Sequence, residues 1–142
     1  MELTYLRTPS ATIAWDIERM SKDIYDGKCK YILKPMPIVN LIIYCDLYPV
    51  EDVYACDICD FPVVIMLGGG KYHVAKGMRQ ILKARKLHFW DLECYVVDAR
   101  TQKRYIINYD KEIYKHALRE EPIYERKYDI YNIDDLYIKI DG

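Results

Sequence analysis

At 142 residues, half of them hydrophobic, the chain is long enough to bury one real core, and its near-neutral formal charge of −1 excludes a protein that coats nucleic acid indiscriminately. No apolar run approaches the roughly 18 residues needed to span a bilayer, which excludes a membrane-spanning helix. The opening "MELTYLRTPS" lacks the charged-then-apolar layout of a signal peptide, so the expectation is a cytoplasmic protein without membrane contact.

In chain order, a short strand-like start leads into "TPSATIAWDIERMSKDIYDG", which reads as a helix. Thr8 can cap it, Pro9 suits its first turn and Gly27 can end it. Ile13, Ile17, Met20 and Ile24 then form one apolar stripe, for which core packing is the default explanation. "CKYIL" is expected as a short strand before Pro35 and Pro37, and "IVNLIIYC", nearly continuous in apolar residues, as a strand buried on both faces. "YPVEDVYACD" reads as a short helix or turn.

"FPVVIML" is the next central strand, with Pro62 at its start where no ladder donor is needed. Gly68, Gly69 and Gly70 turn the chain and "KYHVA" returns as the hairpin partner. Met78 to Leu87 forms a helix with Ile81, Leu82, Ala84 and Leu87 inward and Arg79, Lys83 and Lys86 on another face. "LECYVVD" is a strand, "RYIINYD" its expected hairpin partner, and "KEIYKHALRE" a helix stopped by Pro122. "DLYIKI" near the end adds an expected edge strand. No repeat, linker or low-complexity segment interrupts this order. The whole reads as a single α+β domain over residues 1–142, with a mixed sheet and about three helices.

Charge is distributed unevenly. Lys71 to Trp90 holds six of the 21 basic residues, two histidines and no acid, leaving 15 basic against 22 acidic residues elsewhere, a formal −7. The preceding block, Glu51 to Gly70, has four acids and no base. This is a bounded positive site on an acidic body, suited to a phosphate or a nucleic-acid groove. The five cysteines do not form a secreted disulfide framework; Cys56 and Cys59 make a lone C-x-x-C without the second pair a structural zinc site needs. Fifteen tyrosines against two phenylalanines fit a β-rich domain or tyrosine-bearing binding surfaces, and with the plentiful Ile and Lys suit a heat-adapted source such as an archaeal virus or plasmid.

The positive block is centred on Gly77. A strand, a turn and a helix start make a sensible anion site, because unpaired N–H groups and the helix dipole point at the ligand. Gly77, Arg79, Lys76 and Lys71 are the nearest candidates for phosphate or nucleic-acid binding, with Lys83 and Lys86 further along the helix. The spacing matches neither the Walker A nor the dinucleotide-binding glycine pattern.

"YPVEDV", then "FPVVIML…GGKYHVAKGMRQILKARKL", then "LECYVVD" resembles the ParB/sulfiredoxin-like superfamily, over Ile38 to Asp98. The resemblance implies a compact ParB-like core that places phosphate at the helix beginning with Gly77, in a family that includes nucleotide-binding DNA-partition proteins, nucleases, sulfinic-acid reductases and small-molecule kinases. Gly77 matches the family glycine, and Tyr72 and Val74 match the hairpin positions before it. Lys76 stands where the family carries an acid, Met78 where it carries Glu, His or the reductase cysteine, and Gln80 where a phosphate-binding Arg sits; Arg79 substitutes in part. Sulfinic-acid reduction is excluded at Met78, which has no thiolate, and the usual proton-transfer group is missing.

The expected function is therefore nucleic-acid or nucleotide binding by a protein of a virus or mobile element, acting in the cytoplasm of its host. A divergent Mg²⁺-dependent nuclease or nucleotide hydrolase is the alternative. His73 and Asp52 are its candidate catalytic groups, His88 a further base, and Mg²⁺ would enter with a nucleotide, held by Glu51, Asp52, Asp57 or Asp60. No metal is assigned otherwise. A third reading is an interaction module, a homodimer joined through tyrosine-rich strands.

Overall fold

In the computed structural model, which describes residues 1–45 and 61–124, the chain begins with an antiparallel pair, β1 (Leu3–Arg7) and β2 (Thr12–Asp16). The helix expected from Thr8 thus starts later. Thr8 and Ala11 exchange backbone hydrogen bonds of 2.8 and 3.3 Å across Pro9 and Ser10, so the proline sits in a hairpin turn. Ile13 and Trp15 are buried between half-exposed or exposed neighbours, the period of a strand. Asp16 then caps α1 (Ile17–Tyr25), its carboxylate accepting from the Arg19 N–H at 3.0 Å. Ile17, Met20 and Ile24 form the buried face of α1.

The second correction is at "IVNLIIYC". Strand β3 (Ile32–Pro37) includes both prolines, and Ile38–Ile42 that follows is a helix, α2. Ile38, Leu41, Ile42 and Cys45 are buried while Val39 and Asn40 are exposed, a helical spacing hidden inside an almost wholly apolar run. Among the described residues this makes four α-helices where about three were expected. β3 tolerates Pro35 and Pro37 because, among the described residues, it is an edge strand, paired on one side only, to β6 (Asp91–Asp98).

β4 (Val63–Gly68) and β5 (Lys71–Lys76) form the expected hairpin, and α3 (Met78–Lys86) carries the chain back to β6, which runs parallel to β4. The four-stranded mixed sheet has the order β3-β6-β4-β5. Its strands alternate between two cores. Val64, Cys94 and Val96 join Ile81 and Leu82 of α3 and Leu41 of α2 on one face. Val63, Ile65, Leu67 and Val97 join Trp15, Met20 and Tyr114 on the other.

"RYIINYD" does not return along β6. Residues Lys103–Tyr105 form a 3-10 turn that buries Tyr105, whose hydroxyl donates to Asp23 at 2.8 Å, and the short β7 (Ile106–Ile107) pairs with β2. The smaller sheet, β1-β2-β7, therefore lies over the second core. Helix α4 (Lys111–Ala117), capped by Asp110, ends well before Pro122. The fold is α+β, as composition and pattern indicated. Among the described residues no helix is long and apolar enough to cross a membrane. The "YPVEDVYACD" segment, Cys56 and Cys59, the acids Glu51, Asp52, Asp57 and Asp60, and the "DLYIKI" strand lie outside the described residues.

Candidate anion-binding cleft at the head of α3

The backbone makes a sharp change of direction between β5 and α3, and Gly77 makes it. This residue is the N-cap of α3 at φ 97°, ψ 22°, in the left-handed region where a side chain is strained. A Cβ built on it would lie 2.8 Å from the Pro62 Cβ and 2.9 Å from the Pro62 Cα. The missing side chain is thus used against Pro62, at the mouth of β4. Close approach of a ligand is the sequence-based reason for a glycine here; the fold demands one on its own account.

Glycine also supplies no capping oxygen. α1 and α4 each have an aspartate cap and an acid in the first turn, Glu18 and Glu112, whereas α3 has neither. Its first turn instead presents Arg79, preceded by Lys76, and both side chains are exposed. Beside this helix start lies an open cleft of about 380 Å³ between β1 and the end of β5. Arg7, Lys76 and Arg79 contribute three cations to its lining and Glu2 one carboxylate. Arg7 comes from β1 and was invisible to sequence reasoning, since no local pattern ties it to a glycine seventy positions later.

His73 forms part of the cleft wall but is only 1% exposed. Its Nε2 lies 2.7 Å from the Thr4 hydroxyl and its ring stacks on Trp15, at 5.5 Å between centroids. The Nδ1 has no hydrogen-bond partner among the described residues. Burial drives the imidazole pKa down to about 4, so the ring is neutral at physiological pH. Use of this ring as a mobile general base would require a desolvated charge.

The other candidates separate. Lys71 starts β5, about 17 Å along the strand from Lys76, and its ammonium donates to the Glu120 carbonyl at 3.0 Å. Lys83 and Lys86 follow Arg79 on one helix face but line neither cleft at this end. His88 lies past the far end of α3 in a left-handed conformation, φ 62°. Asp52 lies outside the described residues. The structure thus gathers Lys76, Gly77, Arg79 and His73, adds Arg7, and leaves Lys71, Lys83, Lys86 and His88 elsewhere. Among the described residues no three His, Cys, Asp or Glu side chains cluster so as to hold a metal ion.

A second cleft, of about 340 Å³, opens at the same helix start. Its walls are Ile24, Tyr25 and Ser21 of α1, Phe61, Val63 and Tyr95, and it shares Lys76 and Gln80 with the first. Tyr95 is held edge-on between Phe61, at 5.6 Å, and Tyr31, at 5.0 Å.

No family model matches the chain, and neither a curated protein nor a solved structure matches it. What the site can do therefore rests on its own geometry: a helix start whose N-cap residue is glycine, an excess of cations and a neutral imidazole lining one opening.

Proposed function

We propose that the protein binds phosphate groups of a nucleotide or nucleic acid in the cleft at the head of α3, without itself performing proton-transfer chemistry there. The observation that carries this reading is the placement of Lys76 and Arg79 at the positive end of the α3 dipole. A cation there is unfavourable, by the same roughly 0.3–1 kcal/mol that favours an acid at that end. Arg7 from β1 is a third cation in the lining, against the single Glu2 carboxylate, and an anion at the helix start would offset the charge of all three.

The order β4–β5–α3–β6, with β6 parallel to β4, supports a ParB-like reading of this half of the chain, because it is the hairpin–helix–strand order the resemblance implies. The helix at Ile38–Ile42 departs from the strand expected before "YPVEDV". An origin in a virus or mobile element and a cytoplasmic site of action belong to the same proposal.

The test is binding of inorganic pyrophosphate and of short DNA and RNA to the wild type and to Arg79→Ala, by calorimetry at two salt concentrations. Loss of one charge-assisted contact should weaken binding by about 1–3 kcal/mol. Nucleic-acid affinity should fall with rising salt, and less steeply in the variant. Equal affinity in wild type and variant would remove the phosphate from this cleft.

A further inference from the structure

We infer that the uncovered end of the larger sheet, with the turn at Phe89 and Trp90 beside it, is a docking surface for a basic segment of another protein, one that sets a lysine or arginine among aromatic rings. The surface belongs to β3, β6 and the turn after α3, and the inference is independent of the phosphate reading.

Strand register makes this face. In the β3–β6 pair Leu33, Pro35 and Pro37 stand opposite Tyr95, Glu93 and Asp91, so the six side chains share one side of the sheet. Val97, next in the same series along β6, lies in the core with Trp15 and Met20, and Tyr95 packs at the margin of that core. Past Tyr95 the cover stops: Leu33, Pro35, Pro37, Asp91 and Glu93 are all exposed. Phe61, also exposed, packs edge-on to Tyr95 and borders an open depression of about 660 Å³ whose other walls include Phe89, Trp90, Asp91 and Glu93. Contiguous exposed apolar surface of this kind marks an interaction site, where scattered apolar residues do not.

Trp90 is 90% exposed, so its ring contributes little to the fold. The backbone that carries it is nevertheless held. The His88 and Phe89 N–H groups donate to the Arg85 and Ala84 carbonyls at 3.1 and 2.9 Å, and the Ile38 N–H donates to the Trp90 carbonyl at 3.0 Å. Rings presented on a fixed backbone lower the ordering cost of binding, and tryptophan is enriched among the residues that dominate interfaces.

Charge decides the occupant. Asp91 and Glu93 are the acids lining the depression, and His88 is its other titratable group. Among the described residues neither carboxylate makes an ion pair or a side-chain hydrogen bond. Two such carboxylates, about 7 Å apart along a strand and set among rings, favour a guanidinium or ammonium that lies over a ring face and pairs with an acid. They disfavour an anionic lipid surface. A second copy is disfavoured too, because a two-fold contact sets the same acids against each other. Pro35 and Pro37 take ladder donors out of β3, so the partner is held by side chains across the face rather than added as a strand.

The experiment selects a random twelve-residue peptide library on the wild-type chain, with Trp90→Ala as the counter-selection. Recovered peptides are then titrated by tryptophan emission; of the two tryptophans Trp15 is fully buried, so the change reports Trp90. The peptides should carry lysine or arginine beside apolar residues and bind less tightly as salt rises. Trp90→Ala should weaken them about tenfold or more while keeping the wild-type Tm. Asp91→Asn with Glu93→Gln should weaken them and flatten the salt dependence. A library that yields nothing able to distinguish wild type from Trp90→Ala would overturn the docking surface. Peptides whose affinity is unchanged when their cation is replaced by glutamine would overturn the basic partner. A wild-type dimer that Trp90→Ala dissociates in sedimentation would assign the face to a second copy instead, and a blue shift of Trp90 emission on phosphatidylcholine vesicles would assign it to a membrane; either overturns the proposal.

Discussion

Replacing Gly77 by alanine separates the demands of the fold from those of a ligand. At φ 97° the added Cβ incurs left-handed strain of roughly 1–2 kcal/mol. It also enters a space already occupied by Pro62, at 2.8 and 2.9 Å, well inside ordinary van der Waals contact. The nearest atoms include the Pro62 Cα, so backbone must shift, and overpacking of this kind costs about 1–3 kcal/mol. The total is about 2–5 kcal/mol, or a Tm lower by about 6–15 °C for a chain of this size. Gly70→Ala is the control, since it has φ 75° with nothing within 4 Å of its Cβ; it should lose only about 1–2 kcal/mol, through strain alone. Urea denaturation of both variants gives the comparison directly. If Gly77→Ala costs no more than Gly70→Ala, the Pro62 contact is not what requires glycine. Because the new Cβ faces Pro62, the folded fraction of Gly77→Ala should still bind phosphate. Lost binding in a well-folded variant would also refute the reasoning.

Three further expectations concern other parts of the molecule. His73 is buried with its pKa at about 4, below the ordinary 6.5, so the unfolded chain binds the extra proton first as pH falls. Its contribution, up to about 3 kcal/mol, is fully present above pH 6.5 and lost between pH 6.5 and 4; urea midpoints of wild type should drop across that window more than those of His73→Gln, and parallel losses would refute the assignment. His88 occupies the left-handed position after α3, where the His88 and Phe89 N–H groups bond the Arg85 and Ala84 carbonyls at 3.1 and 2.9 Å, so His88→Gly should raise stability by about 0.5–1 kcal/mol in thermal unfolding. A lower Tm would show that the imidazole makes a contact worth more than the backbone strain. The Cys94 thiol, fully buried on β6, is pushed up to about 12 by burial, so iodoacetamide at pH 8 should leave it unmodified until urea is added; rapid native labelling would contradict the packing of β6 against α3.

The parts of the fold that were legible in the sequence are those in which pattern and punctuation agreed. "FPVVIML", the three glycines and "KYHVA" gave apolar run, turn and return, and the structure makes that hairpin. Two stretches misled for different physical reasons. In "IVNLIIYC" nearly every residue is apolar, so periods of 2 and 3.6 fit equally well, and burial against α3 on one side selects the helix. In "TPSATIAWDIERM" the spacing of Ile13 and Ile17 suits a helix, but Asp16 is the real cap and the turn at Pro9 allows β2 to pair with β1. The placement of "RYIINYD" depended on the 3-10 turn at Lys103–Tyr105, which buries Tyr105 and sends the chain to the smaller sheet. No local signal announces that choice.

The site shows the same division. Local order along the chain was enough to bring Lys76, Gly77 and Arg79 together, because β5 runs straight into α3. It could not supply Arg7 or the two clefts, the first of which exists because β1 lies beside the end of β5 and the second because α1 lies against the start of β4 and β6. Charge counting also weighted all six basic residues alike, and helix electrostatics does not. Lys83, Arg85 and Lys86 stand in the last turn of α3, where the carbonyl end of the dipole favours cations, so their presence needs no ligand. Lys76 and Arg79 stand at the opposite end, where the dipole disfavours them and no acid offsets it in the first turn. The same residue type is therefore explained by the fold at one end of the helix and calls for an anion at the other, and it is this asymmetry, more than the glycine, that points to the cleft.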